Sequence, residues 1–205
     1  MIKLDDDTLR ISIFPTLVYV MDLSDLTGEL ADLCENTNWG DEKAHNQNYC
    51  SDTFFVLDSH LDLKNKFTER VNKILQSEFK YVTPFQMTTS WLTRTVPYGS
   101  IHKHRHTNSL WSTVFYFYEG CGTITFHKKR PAINVPTTDE SPPHPDLVMH
   151  GDVFFLAEKG KMLLFPSELE HSVSFNDSDK YRYSIAMNWM PQGMCKVGDS
   201  SFNYK

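Results

Sequence analysis

The sequence lacks any apolar run approaching the roughly 18 residues of a membrane-spanning helix, so no membrane insertion is expected. Met1 to Arg10, MIKLDDDTLR, lacks the long apolar core of a secretory signal. Cysteine is scarce: Cys34, Cys50, Cys121 and Cys195 are widely spaced, with no C-x-x-C pair among them. That usage favours reduced thiols in a cytosolic protein over a disulfide framework. Basic charge is in the minority, with 20 Lys and Arg against 26 Asp and Glu, a net charge of −6. General nucleic-acid binding needs a basic face to neutralise phosphates, so this balance argues against it, though not against a local basic patch. There is also no internal repeat, no low-complexity tract and no linker. The expectation is one domain over 1–205.

What the chain does have is apolar and aromatic content sufficient for a real core, 40% and 13% respectively, with 14 Phe and 9 Tyr. Ile11 to Met21 reads as a strand whose Pro15 suits a sheet edge. Asp25 to Glu35 reads as a short helix capped by Ser24 or Asp25. The polar stretch 36–53 reads as a loop. In Ser59 to Phe79, Leu63, Phe67, Val71, Ile74 and Leu75 follow helical spacing, with Ser59 as a candidate cap. From residue 81 the character changes. Phe85–Thr95, Leu110–Tyr118, Thr123–His127, Asp152–Leu156 and Lys161–Phe165 are rich in β-formers. His171–Phe175 and Tyr181–Trp189 read as a hairpin, and the residues after Pro191 as a tail. Residues 131–150 contain five prolines and form a long excursion of the kind that often covers a substrate. An N-terminal strand and helices at 11–80 followed by short strands at about 81–190 predict a mostly β protein, an antiparallel sandwich or barrel backed by N-terminal helices.

The chemistry concentrates in Ile101 to Tyr118, IHKHRHTNSLWSTVFYFY. His102, His104 and His106 alternate, and side chains two apart on an extended chain share a side. Neutral imidazole is a good ligand for iron, zinc, nickel and copper. His104 and His106 plus the distant His171 would make a facial set with open positions opposite, as an activating metal centre requires. A lone strand histidine is more often a surface or satisfied core residue, and an H-x-H-x-H run can bind metal opportunistically. The pair could also be His102 and His104, or a carboxylate could complete the set. Arg182 and Ser184 share one face of their strand and could grip a carboxylate with a planar fork and a hydroxyl. Tyr116 could add a phenol. Singly, each is more commonly a surface arginine or a core aromatic. The remaining histidines, His60, His127, His144 and His150, offer no usable spacing, and His45 reads as surface.

These residues resemble the Fe(II)- and 2-oxoglutarate-dependent oxygenases, whose fold is the double-stranded β-helix, a cupin-like jelly roll. The closest branch has H-x-H-P-x-S, S-G-V-Y-Y, G-x-L-x-F and L-F-P-S-x-L-x-H segments. Here stand His104-Arg-His106-Thr-Asn-Ser109, Ser112-Thr-Val-Phe-Tyr116, Gly122-Thr-Ile-Thr-Phe126 and Leu164-Phe-Pro-Ser-Glu-Leu-Glu-His171. The resemblance runs from about Trp91 to Trp189 and touches Ile13-Phe-Pro15. It implies metal ligation by His104, His106 and His171, with His106 where the family usually has a carboxylate. It implies that Arg182, helped by Ser184 and Tyr116, pairs the C5 carboxylate of 2-oxoglutarate. Fe(II), 2-oxoglutarate and O2 would then yield succinate, CO2 and a hydroxylated substrate. The substrate would be a small molecule or a peptidyl residue, with a leaning to the prolyl type, and Trp111, Phe115, Phe154 and Phe165 would line the site. Residues 131–150 and 38–53 are the candidate substrate rim. A His-ligated cupin dioxygenase or isomerase would need the metal but not Arg182. A jelly-roll binding protein with incidental histidines would need neither.

Overall fold

A computed structural model describes residues 2–3, 9–10, 16–40, 48–119, 122–127 and 152–204. Pro15, residues 41–47 with His45, residues 120–121 of the expected turn and the stretch 131–150 lie outside them. The strands are β1 (Ile2–Lys3), β2 (Leu9–Arg10), β3 (Tyr19–Asp22), β4 (Asn48–Cys50), β5 (Phe85–Thr95), β6 (Ile101–His104), β7 (Trp111–Tyr116), β8 (Thr123–Phe126), β9 (Val153–Leu156), β10 (Lys161–Pro166), β11 (His171–Val173), β12 (Arg182–Pro191), β13 (Gly193–Val197) and β14 (Ser200–Tyr204). Helices α1 (Thr27–Glu35) and α2 (Leu61–Phe79) precede all but four of them. A six-stranded antiparallel sheet runs β3-β10-β7-β12-β5-β4, and a four-stranded one runs β6-β11-β8-β9. The mostly β jelly roll with N-terminal helices expected from the sequence is the observed fold.

Period-two alternation assigns the two faces of the large sheet. Met187, Ile185 and Trp189 of β12, Trp111 and Phe115 of β7, and Met162 and Leu164 of β10 face the helices. There they meet the apolar stripe of α2, namely Leu63, Phe67, Val71 and Leu75, each at most 4% exposed. The Phe67 and Phe115 rings meet edge-to-face at 5.7 Å, and Phe79 tilts against Trp111 at 5.0 Å. The opposite face carries Tyr116, Leu163 and Phe165, packed against Ile124, Phe126 and Val173 of the small sheet. Between the two sheets lies the cavity described below.

Several local readings are corrected. His171–Phe175 and Tyr181–Trp189 are not a hairpin: β11 pairs with β6 and β8, whereas β12 pairs with β5 and β7. The Asn176–Asp179 turn crosses between sheets, a long-range choice that local turn signals do not encode. Beyond Pro191 the chain is no tail but the β13–β14 hairpin. The 36–53 stretch contains β4, which pairs with β5. Ser59 ends a short 3-10 turn and does not cap α2, whose first turn follows His60 without a side-chain cap. Nor does Ser24 or Asp25 cap α1: the Ser24 hydroxyl and N–H donate to Asp22 instead. Among the described residues no helix is long and apolar enough to cross a membrane. Cys34 and Cys195 carry free thiols.

Candidate active site

The site follows from three strands and one loop. Strand β6 ends at His104, which lies directly across from His171 on β11. His106 lies beyond the end of β6, on the loop that follows, and is not on the strand as alternation suggested. Its backbone N–H donates to the Ser167 carbonyl at 3.0 Å, which fixes the loop. The ring centroids stand 4.3 Å apart for His104 and His171, and 5.2 Å for each of the other two pairs. One nitrogen from each ring falls within 4.8 Å of the others. Among the described residues this is the sole group of three or more potential metal ligands, and it contains no carboxylate. His102, the alternative partner, is exposed and outside the cluster.

Hydrogen bonding aims the rings. His104 Nδ1 lies 2.7 Å from the His102 carbonyl, and His171 Nδ1 lies 2.8 Å from the Leu169 carbonyl. A carbonyl can only accept, so each Nδ1 carries the proton and each Nε2 keeps its lone pair for a metal. Burial lowers all three pKa values, to about 4 for His106 and about 3 for His171, with further lowering from neighbouring imidazoles. The rings are therefore neutral, the form that binds metal. Phe165 packs edge-on against His171 at 4.8 Å, and Trp91 lies 5.6 Å from His106.

The three histidines open into a cavity of about 500 Å³. Arg182, Ser184, Ala186 and Asn188 project into it from alternate positions of β12, and Tyr116 and Val114 from β7. Arg182 is 3% exposed. Its Nη1 donates to the Ser174 carbonyl at 3.1 Å, which orients the guanidinium. Ser184, opposite Tyr116 in the strand register, shares a 2.6 Å hydrogen bond with Thr93. The Tyr116 hydroxyl is buried with no hydrogen-bond partner. Burial pushes its pKa up to about 12, against the opposing pull of Arg182, so the phenol stays protonated as a donor. No acidic side chain lines the cavity among the described residues. A buried guanidinium beside a phenol whose hydroxyl has no hydrogen-bond partner among the described residues matches an anionic ligand that brings its own oxygens. The residues present thus fit a divalent metal at the histidines and a carboxylate at Arg182.

Some expected lining residues are elsewhere. Trp111 and Phe115 face the helices, and Phe154 is 67% exposed on β9. Only Phe165 of that group lines the cavity. The motif serines acquire a role that the sequence alone did not assign. Ser167 Oγ bonds both Ser109 and Ser112 at 2.8 Å, and Ser112 donates to Asn188 Oδ1 at 2.8 Å. This buried chain locks the His106 loop to β7, β10 and β12. Their recurrence in the H-x-H-x-x-S and L-F-P-S segments was the available signal. Gly122 was missed as well. Its φ is +97°, and a Cβ there would stand 2.7 Å from Arg182 Nη1, 2.6 Å from Ser174 Oγ and 2.8 Å from the Phe175 carbonyl.

Residues 89–188 match the protein family described as "Putative 2OG-Fe(II) oxygenase". No curated protein matches the sequence. Solved structures match the fold. A 2OG-Fe(II) oxygenase family oxidoreductase from Burkholderia pseudomallei is 11% identical with a TM-score of 0.60, over 84% of this chain and 83% of that one. HygX from Streptomyces hygroscopicus, with nickel, 2-oxoglutarate and hygromycin B bound, is 12% identical with a TM-score of 0.58, over 86% and 83%. A prolyl-4-hydroxylase from Pseudomonas putida is 15% identical with a TM-score of 0.53, over 87% and 94%. The stretch that matches the 2OG-Fe(II) oxygenase family, 89–188, holds all three clustered histidines together with Tyr116, Arg182 and Ser184.

Proposed function

We propose that the protein couples oxidative decarboxylation of 2-oxoglutarate to hydroxylation of a small-molecule or peptidyl substrate, with His104, His106 and His171 as the iron ligands. The observation that carries the reading is the convergence of three neutral imidazoles and a buried Arg182 on one cavity with no acidic lining residue among the described residues. Bound Fe(II) would supply oxygen activation, with 2-oxoglutarate as the reductant that becomes succinate and CO2. The protein's own part is binding, orientation and exclusion of water. Arg182 and Ser184 hold the far carboxylate of the co-substrate, and the Tyr116 phenol donates to it. Carbonyl-anchored Nδ1 protons keep two of the ligands in the metal-binding tautomer. Phe165 and Trp91 shield the metal side from solvent.

The chain is read as one domain over 1–205. A cytoplasmic setting fits its reduced cysteines. The similarity to a prolyl-4-hydroxylase supports a prolyl-type residue as substrate, and the similarity to HygX supports a free small molecule; both lie within the proposed reaction class. The test is succinate release from 2-oxoglutarate by the Fe(II)-supplied protein in air. Turnover that requires Fe(II) and is lost in Arg182→Ala with iron still bound is the expected result. Iron binding with no 2-oxoglutarate consumption would favour a His-ligated cupin enzyme. Absence of stoichiometric metal would overturn the proposal.

A further inference from the structure

The large sheet meets the cavity in rows of side chains. Along β12, Arg182 faces Thr95, Ser184 faces Thr93, Ala186 faces Trp91 and Asn188 faces Thr89 on β5. Ser112 flanks Asn188 from β7. Thr89 and Asn188 both line the cavity. The strand register shifts just beyond them, between Asn188 and Trp189, and Trp189 with its partner Met87 turns to the helix-side core. The shift is a β-bulge at Thr88, whose hydroxyl donates to the Asn188 carbonyl at 3.2 Å. A bulge of this kind re-aims the side chains around it.

The Asn188 amide is clamped from both sides. Ser112 Oγ donates to its Oδ1 at 2.8 Å, and its Nδ2 donates to Thr89 Oγ1 at 3.0 Å. With oxygen and nitrogen each turned to a flanking strand, the Cβ–Cγ axis stands up from the sheet. A carboxamide nitrogen carries two hydrogens. One is used on Thr89, and the planar amide turns the other along that axis, into the cavity. Ser112 also shares a 2.8 Å hydrogen bond with Ser167, whose carbonyl receives the His106 N–H. The clamp is therefore continuous with the loop that holds a candidate metal ligand. Trp91, next to Thr89 on the cavity face, lies 5.6 Å from the His106 ring. Arg182 is six residues back along β12, about 20 Å of extended strand at roughly 3.3 Å per residue. A five-carbon diacid gripped by Arg182 does not span that distance, so the Asn188 N–H serves another ligand.

Resting on the proposed oxygenase reading, we infer that Asn188 orients the substrate: its clamped N–H donates to a carbonyl oxygen of the molecule to be oxidised, an amide of a peptide or of a free small molecule. A side chain already fixed on both sides loses little freedom when it binds. A site built to make such a bond discriminates against analogues that lack the acceptor.

The test uses the intact protein saturated with Ni(II) and 2-oxoglutarate, with binding read by saturation-transfer NMR. The probes are N-acetylprolinamide, a peptide mimic, and acetanilide, a free small molecule. Each is paired with the analogue in which every carbonyl oxygen is sulfur, a weaker acceptor of similar shape. At least one oxygen compound is expected to bind about threefold or more tighter than its sulfur counterpart, the size of a neutral hydrogen bond. A preference confined to the first pair supports a peptidyl source, and one confined to the second a free small molecule. Asn188→Leu is expected to erase the preference with 2-oxoglutarate still bound. Thr89→Val, which removes one side of the clamp and keeps the shape, is expected to reduce it. An Asn188 that only supports the fold would weaken both members of a pair alike and leave their ratio unchanged. Equal binding of oxygen and sulfur members by the native protein, a preference that survives Asn188→Leu, or no binding by any probe would overturn the inference. So would loss of 2-oxoglutarate binding in Asn188→Leu, which would assign the amide to the co-substrate. Failure of the native protein to bind 2-oxoglutarate contradicts the oxygenase reading instead, whatever the probes do.

Discussion

At the scale of single residues, the claim is that three imidazoles are held ready for metal by their surroundings. His106→Ala and His171→Ala should each abolish stoichiometric Fe(II) or Ni(II) binding, measured by calorimetry, whereas His102→Ala should leave it intact. Loss of metal in His102→Ala alone would move the ligand pair to His102 and His104. Because the family's usual position holds a carboxylate, His106→Asp should keep metal. The pKa shifts give a second prediction. Folding holds the imidazoles below their ordinary value of 6.5, with His106 at about 4 and His171 at about 3. As pH falls below 6.5, the unfolded chain therefore takes up protons before the folded one does. Stability of the metal-free protein should be full above that pH and fall toward pH 4. Thermal melts across this range test it, and His171→Asn should flatten the slope. A melting temperature that rises on acidification would contradict the assignment.

At the scale of elements, the site depends on contacts that hold strands and loops together. Ser167→Ala would leave the hydroxyls of Ser109 and Ser112 short of a shared partner beneath the His106 loop. It should weaken metal binding by about tenfold or more, as loss of a supporting hydrogen-bond shell does, with the fold retained by circular dichroism. Gly122→Ala should cost about 1–3 kcal/mol from strain at positive φ. Its new methyl would also displace Arg182, raising the 2-oxoglutarate requirement while sparing iron. A second polar chain, Asp152 to His127 to Ser172 with both hydrogen bonds at 2.8 Å, ties the ends of β8 and β9 to β11. These features show what local sequence could and could not carry. The α2 stripe and the full extent of β5 were legible, because helical and alternating periods are local. The separation of β11 from β12 into different sheets was not, since turn residues at 176–179 signal reversal of direction but not a change of partner. The cap at Ser59 failed for a similar reason: the preceding 3-10 turn already occupies that residue.

At the scale of the molecule, the large sheet divides stability from chemistry. One face is sealed by α1 and α2, and the other bears the cavity. Phe67, fully buried against Phe115, should cost about 3–5 kcal/mol when cut to alanine, lowering the melting temperature without changing metal stoichiometry at low temperature. The structure gathers His104, His106 and His171 with Arg182, Ser184 and Tyr116 around one cavity, the grouping that the resemblance implied. The lining aromatics were not legible in the sequence, because an aromatic on a strand between two apolar layers can face either. Trp111 and Phe115 fell to the helix side, while Trp91 and Phe54 line the cavity.

The most direct test of the central claim is an anaerobic titration of the Fe(II)-loaded protein with 2-oxoglutarate, read by visible absorption. A saturable, weak charge-transfer band at one equivalent per iron is predicted, present in the native protein and shifted to far higher 2-oxoglutarate concentration in Arg182→Ala. Iron bound with no band at any concentration, or a band indifferent to Arg182, would contradict the account.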